Sequence, residues 1–172
     1  MATINQRITN CLWFDSEAEE AANFYTSIFP NSSVGAISRY GKEGFEAHHQ
    51  PEGKVMVVQF TLDGQEFMAL NGGPLFPFNE AISLVVNCKD QAEIDYYWKH
   101  LTAGGEESQC GWLKDKFGVS WQVTHIQLKE MMYHGAREKY DRVMAAFLKM
   151  KKFDLKTLEE AYRGNVGVGV DQ

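Results

Sequence analysis

Histidine and cysteine are the side chains from which a metal site or a nucleophile is most readily built, and this chain of 172 residues carries five of the first and three of the second. His48 and His49 are the one adjacent pair. In a strand, neighbouring side chains point to opposite faces, so both could grip a single ion only from a loop. The glycine-, proline- and charge-bearing stretch 41–53 predicts such a loop, and there a pair of solvated imidazoles is the plainer reading. His100, His125 and His134 read as surface or structural histidines. Cys11, Cys88 and Cys110 form no CxxC spacing and are odd in number, which disfavours a zinc knuckle and a disulfide framework and suits a reducing cytoplasm. Cys11 and Cys110 fall in apolar, strand-like runs, where a thiol acts as a small buried hydrophobe unless a base or cation activates it.

Several chemistries lack their residues. There is no Walker loop, no GxGxxG after a strand, no GxSxG elbow and no HExxH. Asn71-Gly72-Gly73-Pro74 at a strand end has little side-chain bulk, so it reads either as a turn or as a place where a ligand meets backbone. Trp13, Trp112 and Trp121 lie in three separate expected strands, and they either fill a core or line an apolar pocket.

The elements that must position these groups show a repeated order. Ile8–Phe14 is β-prone, and Ser16 with Glu19 spells a capping box ahead of a helical stripe of Ala18, Ala21, Ala22, Tyr25, Ile28 and Phe29, which Pro30-Asn31 ends. A short strand over 34–40, the loop, and a hairpin of 55–62 and 65–70 about Asp63-Gly64 complete a β-α-β-β-β order. The order then recurs. Strand 82–88 leads through the capping pair Asp90 and Glu93 to a helix whose stripe of Ile94, Tyr97, Trp98 and Leu101 repeats Ala21, Phe24, Tyr25 and Ile28 at one constant offset. Runs at 110–113 and 119–125 follow, around a turn at 115–118. Equal order at nearly equal spacing marks a duplicated unit. Beyond His125 the pattern turns helical, with Leu128–Met132, a stripe of Tyr140, Val143, Met144, Phe147 and Met150, and a short helix over 155–162.

The reading is therefore one domain over 1–163, built of module one (about 7–73), module two (about 80–125) and C-terminal helices (about 126–163), with a flexible tail at 164–172. Seventeen basic against twenty-three acidic side chains give a net charge of −6, which disfavours a nucleic-acid partner. No apolar run approaches the roughly 20 residues that span a bilayer, so no membrane is expected either. The polar start, Met1–Gln6, has no apolar core of a signal segment.

Leu12-Trp13-Phe14-Asp15, Glu19-Glu20-Ala21, Phe24-Tyr25, Ala69–Pro74, Ser83–Cys88 with Gln91 and Glu93, and above all Cys110-Gly111-Trp112-Leu113-Lys114-Asp115 with Gly118 and Trp121-Gln122 resemble one known family. It is the PhnB-like branch, often labelled 3-demethylubiquinone-9 3-methyltransferase, of the vicinal oxygen chelate (glyoxalase/bleomycin resistance) superfamily. The resemblance implies an α+β fold in which two βαβββ modules form a curved eight-stranded mixed sheet around a cavity, usually in a homodimer. It also implies a divalent metal held by His and Glu on the first and last strand of each module. Those positions fall on Asn10, Ala69, Ser83 and Gln122, none of which supplies a carboxylate or an imidazole. No metal and no cofactor is expected, and glyoxalase, dioxygenase and epimerase chemistry loses its ion. The methyltransferase label finds no glycine-rich turn to support it.

Two functions follow as expectations. One is a metal-free binding protein whose cavity holds a small organic ligand against Trp13, Asn71, Ser83, Cys110, Trp112 and Gln122. The other is an enzyme in the same cavity, with Cys110 or His49 as acid, base or nucleophile, or with a metal recruited through His48 or His49.

Overall fold

In the computed structural model, residues 6–133 and 136–164 are described; His134 and all but the first residue of the expected tail lie outside them. The chain divides into two compact units, residues 1–78 and 79–172.

The first unit contains β1 (Asn10–Phe14), α1 (Ala18–Ile28), β2 (Ser33–Arg39), α2 (Phe45–His48), β3 (Val55–Leu62) and β4 (Gln65–Asn71). Its sheet has the order β1-β4-β3-β2, with β1 parallel to β4 and the other pairs antiparallel. One face packs on α1: Leu12, Phe14, Val58, Phe60, Phe67 and Ala69 are buried with Ala18, Ala21, Ala22, Tyr25 and Ile28. Asp63 and Gly64 take φ of 46° and 78°, as the tight β3–β4 turn requires.

The capping box expected at Ser16 and Glu19 does not form. Glu17 is the N-cap and its side chain makes no cap bond. Instead Asn71, at the end of β4, reaches across the module and its Oδ1 accepts the Ala18 N–H at 2.8 Å. The stretch 41–53 is not wholly loop, because one turn of helix, α2, stands between two left-handed residues, Gly44 and His49.

The second unit repeats the order with β5 (Leu84–Cys88), α3 (Gln91–Leu101), β6 (Glu106–Glu107), β7 (Trp112–Lys114) and β8 (Ser120–His125), in sheet order β5-β8-β7-β6. The stripe of Ile94, Trp98 and Leu101 is buried, as Ala21, Tyr25 and Ile28 are in α1. Here the capping pair does form: Asp90 accepts the Glu93 N–H at 2.9 Å, and the Glu93 carboxylate accepts the Lys89 N–H at 2.9 Å.

Three further helices follow, α4 (Ile126–Tyr133), α5 (Arg137–Phe147) and α6 (Leu155–Arg163). They are tied to module two by backbone: the N–H groups of Cys110 and Gly111 donate to the carbonyls of Met150 and Lys151, each at 2.7 Å. Phe153, 1% exposed, fills the space beside Gly111, where a Cβ would stand 2.6 Å from its ring. Among the described residues no helix is long and apolar enough to cross a membrane.

Candidate functional site

Strand alternation sorts module two into two faces. Trp121, Val123 and His125 of β8 are buried on the side of α3, and Gln122 and Thr124 turn to the other side, half-buried. Register carries that second face across the sheet: Val85 and Trp112 both stand opposite Gln122, and Lys114 stands opposite Ser120. The Gln122 amide donates to Ser83 Oγ at 2.8 Å, which fixes the amide with its carbonyl oxygen and second N–H still to offer. Ser83, Gln122 and Trp112 are thus brought to one face.

Beside them lies a cavity of about 430 Å³ whose wall includes Cys110, Trp112, Lys114, Glu80 and Glu106. Lys114 and Glu80 pair at 2.6 Å. That hydrogen bond holds the Glu80 carboxyl below its ordinary range and the Lys114 ammonium above its own.

Cys110 is not a strand residue. It sits in the turn before β7 with φ of 59°, followed by Gly111 at 80°, because its N–H and that of Gly111 are drawn to Met150 and Lys151. Its thiol is partly exposed, and burial pushes its pKa up. All three cysteines are free. Cys11 is exposed rather than part of a core, since alternation in β1 sends Leu12 and Phe14 to α1 and Cys11 to the opposite face.

Trp13 shares that opposite face of module one, half-buried. Its indole N–H donates to the Gly73 carbonyl at 2.8 Å and its ring meets Phe76 edge-on at 5.0 Å. Gly72 lies against the indole, where a Cβ would stand 2.2 Å from the ring. Asn71 points the other way and is 2% exposed. Its side-chain amide accepts from Ala18 and donates to the Val55 carbonyl at 3.1 Å, and the Asn71 backbone carbonyl accepts the Tyr40 hydroxyl at 2.7 Å. The amide is committed to holding α1, β3 and β4 together. Trp121 is likewise core, 2% exposed, and bonded to Asp115 at 2.8 Å.

Among the described residues, no histidine is part of the wall of the module-two cavity. His48 packs on the Tyr40 ring at 4.5 Å, accepts the Gln50 N–H at Nδ1 and meets the Glu43 carbonyl at Nε2. His49 is exposed, with φ of 53°, edge-on to Phe45. His125 is buried and bridges the Lys89 carbonyl and the Gln127 N–H.

The internal repeat fixes which residues of module one match Ser83 and Gln122. Phe14 stands opposite Asn71 where β1 and β4 end, as Cys88 stands opposite His125 where β5 and β8 end. Counting back from those pairs puts Thr9 at the place of Ser83 and Met68 at the place of Gln122. Asn10 and Ala69, expected there, are one residue out of register; Ala69 is fully buried on the α1 face. A slip of one residue exchanges the two faces of a strand. The four positions therefore hold two hydroxyls, a thioether and a carboxamide. Among the described residues, no three His, Cys, Asp or Glu side chains gather to hold a metal ion.

A family model described as 3-demethylubiquinone-9 3-methyltransferase matches residues 6–124. Among solved structures, a PhnB protein from Bacillus cereus bearing the same methyltransferase name is 42% identical over 70% of this chain and 99% of its own, with a TM-score of 0.62. A Pseudomonas aeruginosa protein is 21% identical over 70% and 98%, with a TM-score of 0.55. The fosfomycin resistance protein FosX from Listeria monocytogenes, complexed with Mn(II) and sulfate, is 15% identical over 77% and 100%, with a TM-score of 0.51. No curated protein matches the chain.

Proposed function

Because the chain belongs to the PhnB-like, 3-demethylubiquinone-9 3-methyltransferase family of the glyoxalase/bleomycin resistance superfamily, we propose that it binds a small organic molecule on the face of module two that carries Trp112 and Gln122, without a metal ion. The observation that carries this reading is the Gln122–Ser83 hydrogen bond. Both groups fall at positions where the family resemblance implies ligands to an ion, and here they hydrogen-bond to each other.

A divalent cation surrenders bound water only when anionic oxygen or imidazole nitrogen replaces it. Thr9, Met68, Ser83 and Gln122 offer neither, so these residues do not fit the ion and no step is routed through one. What they offer is recognition. The Gln122 amide, opposite Trp112 in register, keeps an acceptor and a donor for a carbonyl, hydroxyl or amide of the ligand, while the Trp112 indole supplies a flat apolar surface to the cavity that Cys110 also borders. A volume of about 430 Å³ suits a small metabolite or drug-sized molecule.

The methyltransferase name is not adopted as an activity. Each sheet is four-stranded and mixed, and the turn after β1, Asp15-Ser16-Glu17, has no glycine to admit a cofactor to the backbone.

The test is a thermal-shift screen of aromatic and amphipathic compounds in the presence and absence of EDTA, alongside equilibrium dialysis against Mn²⁺, Ni²⁺ and Zn²⁺. Stabilisation that survives EDTA and is lost in Trp112→Ala and Gln122→Leu supports the reading. Stoichiometric retention of an ion that Gln122→Leu abolishes overturns it, and so does a screen without a single stabilising compound. The homodimer belongs to the same proposal, and light scattering of the full chain checks it.

A further inference from the structure

Module one carries a recess of its own, about 230 Å³, on the sheet face turned away from α1. Its origin is local. The pairing of β2 with β3 slips between Val34 and Ile37, and Gly35, within that slip, contributes no side chain; a Cβ there would stand 3.2 Å from the Gln59 carbonyl oxygen. A bulge next to a glycine opens the strand surface where other residues would cover it.

The wall of the recess includes Thr9, Gln59, Thr61, Glu66 and Met68. Register places Thr61 opposite Glu66 and Gln59 opposite Met68, so the four form a compact square on one face. Glu66 is half-buried and is the only charged side chain among the lining residues; no lysine, arginine or histidine lines it. Thr61 is oriented by Ser33, whose N–H donates to its hydroxyl oxygen at 3.2 Å. The groups that converge are thus a carboxylate, hydroxyl oxygens and a carboxamide, with a thioether beside them.

We infer that this recess binds a small organic cation bearing a primary ammonium. An ammonium has three donors and no acceptor, and Glu66, Thr61 and Gln59 offer it a carboxylate, a hydroxyl and an amide oxygen. Met68 supplies a polarizable apolar surface for the attached chain. At roughly 30 Å³ for each water displaced, the recess has room for an alkyl amine of a few carbons. A metal ion finds a single anionic oxygen group here, too little to replace its water. The repeat gives module two no counterpart of this charge: Glu66 corresponds to Ser120, and Thr61 to Lys114. Thr9 and Met68 belong to the four matched positions described above, but the recess shares no lining residue with the cavity of module two.

The experiment follows the methyl resonances of the full chain labelled at methionine, with Met68 assigned through Met68→Leu, during titration with n-butylammonium chloride and separately with n-butanol. The expected result is a saturable shift of the Met68 methyl with the ammonium and none with the alcohol. Glu66→Gln, which keeps the side-chain shape and loses the charge, weakens the ammonium by about ten-fold or more. An unsaturable response, equal responses to amine and alcohol, or undiminished affinity in a folded Glu66→Gln overturns the inference. The amine-against-alcohol comparison decides the matter in the unaltered protein even if that variant fails to fold. Trp112→Ala leaves the titration unchanged, which separates this site from that of module two.

Discussion

Asp115 and Trp121 face each other across the β7–β8 turn, the indole N–H donating to one carboxylate oxygen at 2.8 Å while the other oxygen accepts the N–H groups of Phe117 and Val119 at 2.9 and 3.1 Å. The carboxylate is 3% exposed. It closes the turn and fixes the start of β8, the strand that presents Gln122.

Asp115→Ala strands three donors at once, two of them buried. An unsatisfied buried donor costs about 1–3 kcal/mol, so the variant loses about 3 kcal/mol or more in urea unfolding. Asp115→Asn keeps one carbonyl oxygen for the backbone and loses less. Equal stability of Asp115→Ala and the unaltered chain would refute the assignment.

Gly72→Ala places a methyl inside the Trp13 ring, which its bond to Gly73 holds in position. Overpacking of this kind costs about 1–3 kcal/mol. Tryptophan emission, measured on the folded variant, shifts as the indole is displaced.

The Cys88 thiol is fully buried, and that burial, with the carboxylates of Glu93 and Asp90 nearby, pushes its pKa up from 9.0 to about 12. The folded thiol keeps its proton where the unfolded one has lost it. The stabilisation is therefore fully present below pH 9 and drains away as pH rises from there toward 12. The melting temperature of the unaltered chain falls across pH 9–10.5 by more than that of Cys88→Ala, and parallel curves would exclude the effect.

Cys110 decides the enzymatic alternative. With its pKa raised by burial, its thiolate is scarcer than in an unfolded chain. Iodoacetamide at neutral pH alkylates it no faster than a denatured control, read by mass spectrometry of the peptide that contains it. Faster labelling would mark an activated nucleophile and return catalysis to this cavity.

The duplication was legible because its evidence is periodic. The stripe Ile94, Tyr97, Trp98 and Leu101 must face one way on any helix, and α3 buries all of it but Tyr97, which is half-buried. What escaped was either short or distant. β6 is two glutamates with no strand preference, ordered by pairing with Leu113 and Lys114, and α2 is a single turn too brief for a stripe. The cap of α1 comes from Asn71, 53 residues along the chain, so no local pattern announces it. The misplacement at Asn10 and Ala69 has a similar cause: a strand has period two, and only burial against α1 says which set faces inward. Ser83, Gln122 and Trp112 share a face through register, which sequence expresses only once the turn at Asp115 is known.

The family model stops at residue 124, yet the carbonyls of Met150 and Lys151 and the ring of Phe153 are what hold Cys110 and Gly111 in their left-handed turn. A fragment trimmed at the family boundary would keep every recognisable motif and lose the clasp that bends the chain into β7. The segment that joins α5 to α6 is thus a brace for the turn that leads to Trp112, and anyone shortening this protein for study would alter the rim of the binding face while leaving its sequence signature whole.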